Sequence, residues 1–253
     1  MEWFLRQREW PAWYLELTLL IGGYLAFGLA RAGVDRGDPM ATSNAELVQR
    51  WEQTLHIAIE YSLNQLILGY PSSIYFTGYF YRLCLIAVPA ILIWLYVRWP
   101  VRYRYLRTVL VVTTLIDLPL VWLFPESPPR FSLHGIVDYM ATYDILGGVS
   151  ARAPRPGVNL LAAMPSMHIA WTTWCAYAVW SVLRLRRPVA AWLAWLFPGL
   201  TAFVVLTTGH HYVLDILGGL AVVAIAVRLT RWSTGVQSTL SRNNSSAADG
   251  IGE

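Results

Sequence analysis

The chain has 253 residues, 56% of them hydrophobic and only 13% charged, with a mean hydropathy of +0.45. A charged share about half that of an ordinary soluble domain excludes a disordered chain and argues against a soluble one. The net charge of +4 does not make so apolar a chain a nucleic-acid binder.

Six segments are apolar and long enough to cross a bilayer, where about 20 residues suffice. They run from Ala12 to Ala30, Ile74 to Val97, Thr108 to Phe124, Pro165 to Leu183, Pro188 to Thr208 and His211 to Leu229. The first holds Glu16, lacks a small-residue cleavage site and precedes five further spans, so it is not read as a cleaved signal. The expected fold is an all-α integral membrane protein, a six-transmembrane helix bundle. Its parts are a cytoplasmic N-terminus (1–11), a membrane domain (12–232) and a disordered cytoplasmic tail (233–253). All 19 basic residues are arginine. With both termini inside, twelve fall in inner segments and six in outer ones, while Arg82 lies inside the second span. That bias follows the positive-inside rule. The 13 Trp and 14 Tyr suit interfacial anchoring.

Two connections are long, and both fall on the outer side. The stretch 31–73 carries a helical pattern with Leu47, Trp51, Leu55, Ile59 and Leu66 on one side and Gln53, His56, Glu60 and Asn64 on the other. It reads as an amphipathic helix at the interface, with His56 and Glu60 an exposed i,i+4 pair. The stretch 125–164 repeats the pattern with Leu133, Ile136, Val137, Met140 and Tyr143. Cys84 and Cys175 lie in apolar runs and suggest neither a disulfide framework nor a zinc site.

Ionisable groups at membrane depth are costly and are functional suspects. Three places stand out, all at one depth on the outer side. Met164-Pro165-Ser166-Met167-His168 opens the fourth span: Pro165 suits a first helical turn, and the amides after it attract an anion, with Ser166 as a hydroxyl donor. Gly209-His210-His211-Tyr212-Val213-Leu214-Asp215 opens the sixth. Four residues apart, His211 and Asp215 share a helical face, where the carboxylate would fix the tautomer and leave the other ring nitrogen as nucleophile or base. Gly209 permits close backbone approach to a ligand. Phe124-Pro125-Glu126-Ser127-Pro128-Pro129-Arg130 closes the third span, its prolines stiffening the exit and Arg130 offering a fork for phosphate. Arg82 and Asp117, both inside spans, read as a buried structural ion pair.

These motifs resemble the type 2 phosphatidic acid phosphatase (PAP2) superfamily. Residues 164–168 look like its PSxH motif and 211–215 like its HxxxD motif. His210-His211-Tyr212 and Pro128-Pro129-Arg130 resemble the branch that contains inositol phosphorylceramide synthase, and Gly135-Ile136-Val137-Asp138 and Asn159-Leu160-Leu161-Ala162-Ala163 resemble its actinobacterial members. The resemblance covers roughly residues 50 to 230. It implies that His211 attacks phosphorus to form a phosphohistidine, that Asp215 orients it, and that His168 protonates the leaving alcohol and then activates water or an alcohol. Arg130, Ser166, His210 and Gly209 would bind phosphate, with Asp138, Arg155 and Asn159 in a substrate loop. Asp138 could equally cap a turn, and His210 could serve only as an interfacial hydrogen-bonding group. No metal or other cofactor is implied, and activity should survive EDTA. The partners implied are a lipid phosphate and the membrane. The chain departs from the family at two cations: Leu123 stands where a Lys is usual, and Val205 where an Arg is. Arg152 and Arg155 are candidates to replace them.

Three function classes follow. The first is a lipid-phosphate enzyme at the outer leaflet, either a phosphatase on phosphatidate or polyprenyl phosphate, or a phosphotransferase to an alcohol such as inositol or a sugar. The second is a b-type cytochrome with His168 and His211 as axial ligands. The third, a transporter or scaffold, lacks a broken-helix pair to support it.

Overall fold

A computed structural model of the chain describes residues 11–33, 39–145 and 160–249. Every regular element among them is helical, and the one β-bridge pairs Glu126 with Ala162. In chain order the helices are α1 (Trp13–Ala32), α2 (Pro39–Thr54), α3 (Glu60–Leu68), α4 (Pro71–Arg98), α5 (Pro100–Leu123), α6 (Pro129–Ser132), α7 (Tyr139–Thr142), α8 (Met167–Leu183), α9 (Pro188–Leu193), α10 (Leu196–Thr207) and α11 (Val213–Asp249).

Four stretches are long and apolar enough to cross a membrane: α1, α5, α9 with α10, and α11 over Val213–Ser233. A fifth is α4, if its two arms, bent by 42° between Leu83 and Leu85, form one span. The bend has a cause in the sequence. Pro89 lies inside α4, and its ring removes the hydrogen bond to the Leu85 carbonyl and collides with it. Pro198 acts alike one turn after Ala194, where α9 gives way to α10. Helix α8 has 17 residues, marginal for a span. Its start corrects the expected one. Ser166 is the N-cap, its hydroxyl accepting from Ile169 N at 3.4 Å, so Pro165 precedes the helix instead of occupying its first turn.

Helix α8 is central and packs on α4, α5, α10 and α11; α5 and α11 also pack on each other, and α1 leans chiefly on α5. The main core joins Leu92 and Leu95 of α4, Leu106 and Val109 of α5, and Trp174 and Ala178 of α8. Trp174, fully buried, donates its indole N–H to the Leu106 carbonyl at 2.9 Å, so its polar edge is satisfied. Glu16 of α1 pairs with Arg107 and accepts from Tyr103 Oη at 2.9 Å. Leu29, Leu123 and Val189 are exposed outer apolar residues, as expected of helices that face lipid.

The two long connections differ from expectation. The pattern over residues 47–66 is broken into α2 and α3 by a turn in which His56 has φ 56°. Its faces also divide differently, with Gln53 and His56 exposed as expected but other positions exchanged. Trp51, Leu55 and Leu66 are exposed, whereas Glu52, Glu60 and Asn64 are buried. Glu60 is therefore no exposed partner of His56. Glu52, Glu60 and Asn64 turn inward because they have work there: the glutamates hold the start of α11, and Asn64 holds the loop before α7. In the second connection the pattern over Leu133 to Tyr143 yields one four-residue helix, α7, and α6 precedes it. Backbone helix continues past Ser233 to Asp249, over part of the stretch expected to be a disordered tail.

Candidate active site

Three loops meet where α5 ends and α8 and α11 begin. Backbone bonds tie them together: Glu126 N donates to Leu161 O at 2.9 Å, Ala163 N to Glu126 O at 3.1 Å, and Ser166 N to Asp215 O at 3.1 Å. Arg130 N donates to Gly209 O at 2.9 Å. Helix α2 holds the first loop from outside, where Ala41 O accepts from Ser127 N at 3.1 Å and Asn44 Nδ2 donates to Pro125 O at 2.8 Å.

Two glycines permit this closeness. Gly209 has φ 66°, and a Cβ there would lie 2.7 Å from Ile136 Cγ2 and 3.2 Å from Arg130 Cβ. A Cβ on Gly219 would meet Ser166 O at 2.6 Å, so the start of α8 lies directly on α11.

His211 stands two residues ahead of α11, not inside it as the expected span would have it. Its Nδ1 faces Asp215 Oδ2 at 3.2 Å, and the same oxygen accepts from Tyr212 N at 2.8 Å. Asp215 is the third residue of α11, so its carboxylate reaches back over the helix start in the manner of a capping box. The next two amides are also taken: Val213 N donates to Glu60 Oε1 at 3.1 Å and Leu214 N to Glu52 Oε1 at 2.6 Å. The amides at the start of α11 are thus occupied by the protein's own carboxyl groups.

Those acids lie close together in the interior. Burial, reinforced by a hydrogen bond with Glu60, pushes the Glu52 carboxyl up to about 9. Burial and the neighbouring Asp215 charge push Glu126 well above the usual carboxylate range. Asp215 Oδ1 and both Glu126 oxygens have no donor among the described residues when all are carboxylates. A proton retained on Glu126 supplies a donor for Asp215.

The His168 and His211 rings are 5.9 Å apart, centroid to centroid. Both line a cavity of about 480 Å³ together with His210, Arg130 and Arg31. Tyr81 of α4 lies over two of the imidazoles, 4.2 Å from His168 and 4.3 Å from His210. Burial and the Arg130 charge hold His210 well below its ordinary value, so it is neutral at pH 7. Arg130 Nε lies 3.7 Å from Asp138 Oδ2. Asp138 also caps α7, accepting from Ala141 N at 3.1 Å. Ser166 is fully buried. Leu123 is exposed, and Val205 is buried with its carbonyl accepting from His210 N and His211 N at 3.0 and 3.3 Å, so neither position bears on a phosphate here.

The structure therefore brings together His168, His210, His211, Arg130 and Asp215, with Gly209 and Ser166 as backbone supports and Asp138 behind Arg130. Arg152, Arg155 and Asn159 lie outside the described residues. The expected Arg82–Asp117 pair is not formed. Asp117 Oδ2 faces Arg31 Nε at 3.7 Å, and Arg82 Nε is buried without a hydrogen-bond partner among the described residues. Sequence reasoning missed Tyr81, Arg31, Glu52 and Glu126. Arg31 and the glutamates could have been suspected as charges beside long apolar runs; Tyr81 carried no signal beyond its neighbour Arg82. Among the described residues no group of three or more His, Cys, Asp or Glu side chains is arranged to hold a metal ion.

In comparison with protein families, the family model described as the PAP2 superfamily aligns with residues 46–229, well over half of the chain. Comparison with curated proteins and with solved structures gives no match. The matched segment contains both histidine motifs and Arg130.

Proposed function

This chain belongs to the PAP2 superfamily, and we propose that it transfers the phosphoryl group of a membrane lipid phosphate by way of a phosphohistidine on His211. The observation that carries this reading is the pair of imidazoles 5.9 Å apart in one cavity, the second of them oriented through Nδ1 by a buried carboxylate.

The steps balance as follows. With Nδ1–H donated to Asp215, the Nε2 lone pair of His211 attacks phosphorus. The bond from phosphorus to the lipid oxygen breaks, and His168 gives its proton to that oxygen. His168, now neutral, takes a proton from the incoming water or alcohol as its oxygen attacks phosphorus. The P–N bond breaks and its electron pair returns to His211. Arg130 offers a guanidinium to the phosphoryl oxygens. Met167 N and His168 N, the first two amides of α8, supply further donors of the kind that hold anions at helix starts. Neutral His210 adds a donor without adding charge.

In this reading the bundle has six spans, with α8 as the fourth. The arginine asymmetry then places both termini in the cytoplasm, so the cavity opens at the extracytoplasmic face, with α2 and α3 lying along that interface. The absence of cations at positions 123 and 205 favours kinship with the inositol phosphorylceramide synthase-like branch, in which an alcohol can replace water as acceptor.

The test uses purified full-length protein with labelled phosphatidate and polyprenyl phosphate, with and without inositol. Release of inorganic phosphate identifies a phosphatase, and a new lipid phosphodiester identifies a phosphotransferase. His211→Ala should abolish either product. Turnover of His211→Ala at the wild-type rate, or no product from the wild-type protein with any of these lipids, would overturn the assignment.

A further inference from the structure

The cavity holds two arginines, and they come from different parts of the chain. Arg130 lies inside the segment that matches the superfamily; Arg31, in the last turn of α1, lies outside it. We propose that Arg31 is a second phosphate-binding residue of this site, delivered by a helix that the family match does not include. The inference deepens the proposed function and rests on it for the identity of the substrate, though not for the binding of the anion.

Three observations place Arg31. It lines the same cavity as His168, His210, His211 and Arg130. Its Nη2 donates to the Ala162 carbonyl at 2.8 Å, in the loop that is bridged to Glu126 and leads into Ser166. Its Nε faces Asp117 Oδ2 at 3.7 Å, from a carboxylate that is fully buried on α5. The guanidinium is therefore held from two sides at the cavity wall. The guanidinium carbon Cζ also lies 5.7 Å from the centre of the Phe27 ring, on the same helix.

The charge balance of the cavity gives this position its meaning. A phosphomonoester brings between one and two negative charges near pH 7, by analogy with a second pKa near 6 in phosphorylated side chains. Arg130 faces Asp138 and Arg31 faces Asp117, each at 3.7 Å, and neutral His210 contributes no charge, so a phosphate has to draw on both arginines. Arg31 is the other arginine of the cavity wall. A planar fork on each side of the phosphoryl group offers donors from two directions, which one arginine cannot do. Asp117 has a role in this arrangement as a positioning residue: it keeps the side chain of Arg31 turned toward the cavity. The remainder of α1 adds Leu25, Gly28 and Leu29 to the same wall, so the helix that brings the cation also brings apolar surface next to it.

The experiment uses the full chain in detergent and two readouts. One is the rise in melting temperature on titration with inorganic phosphate, which needs no turnover. The other is KM and kcat for phosphatidate in mixed micelles. Arg31→Gln should weaken phosphate binding, and raise KM, by about tenfold or more, the loss of one charge-assisted fork. Arg31→Lys should recover part of both. The double variant Arg31→Gln/Asp117→Asn removes the buried carboxylate left alone by the single change and should bind as weakly as Arg31→Gln while melting closer to wild type. Phosphate binding and KM within twofold of wild type in Arg31→Gln would overturn the proposal, as would a wild-type protein that phosphate does not stabilise. A wild type that binds phosphate through Arg31 but turns over no lipid would sink the proposed function and leave Arg31 as an anion-binding residue.

Discussion

Gly209 offers the sharpest test of how the site is held. Its φ of 66° is one that an L side chain reaches only at a cost of about 1–2 kcal/mol. An alanine Cβ would also stand 2.7 Å from Ile136 Cγ2 and 3.2 Å from Arg130 Cβ. Ile136 is buried, so the contact is relieved only by moving the 130–136 segment, and overpacking of this sort costs about 1–3 kcal/mol. Together Gly209→Ala should lose about 2–5 kcal/mol, a fall in melting temperature of roughly 4–20 °C for a chain of this size. The same movement carries Arg130 away from His210 and His211, and a shift near 1 Å at a reacting centre costs about a hundredfold in rate. Gly199→Ala is the control. That glycine lies in α10 with nothing within 4 Å of the added carbon, so alanine should be neutral or stabilise by up to about 1 kcal/mol. Thermal melting of both variants in one detergent, with turnover measured beside it, reads the difference. If Gly209→Ala melts and turns over like wild type, the tight seating of the nucleophile loop on the Arg130 loop is wrong.

The buried acids make two further predictions. Because the folded Glu52 carboxyl sits near 9 against an ordinary 4.5, its contribution to stability is complete below about pH 4.5 and is lost as pH rises through about 9, at no more than about 1.4 kcal/mol per pH unit. Melting temperature should therefore fall across that window, and Glu52→Gln should flatten the slope; an unchanged slope would mean that Glu52 is ionised throughout. For Glu126, the glutamine variant keeps a neutral donor for Asp215 and should retain most activity, whereas Glu126→Ala leaves Asp215 Oδ1 without one and should lose roughly 1–3 kcal/mol of stability together with turnover. Equal activity in the two variants would remove Glu126 as the donor.

Much of this architecture can be read from residue order, and the exceptions have physical causes. Apolar runs mark the spans because length and hydropathy are local properties. The His211–Asp215 contact follows from spacing alone, although it forms over a helix start instead of along a helix face. What spacing cannot give is which side of an amphipathic helix turns inward. In water the apolar side goes in; beside a bilayer there is a second apolar medium outside. Trp51 and Leu66 can face outward while Glu52 and Glu60 enter the interior to hold the amides of α11. The partner of Asp117 was equally open, since Arg31 at the end of α1 and Arg82 inside α4 are both cations in apolar runs and only the packing of α1 on α5 selects Arg31. Tyr81 resembles any interfacial aromatic until the fold lays it on two imidazoles. The bends were written in the sequence, at Pro89 and Pro198, but a proline inside an apolar run predicts a kink without predicting what the kink presents.

The grip of α2 on the Pro125–Ser127 loop has a practical corollary. A fragment cut to the limits of the matched family segment would begin at Glu46, in the middle of α2. It would lack Ala41 and Asn44, the two tethers of the strap that leads into Arg130. Sequence kinship and mechanical integrity thus draw different borders in this protein, and a minimal working version has to start upstream of Pro39.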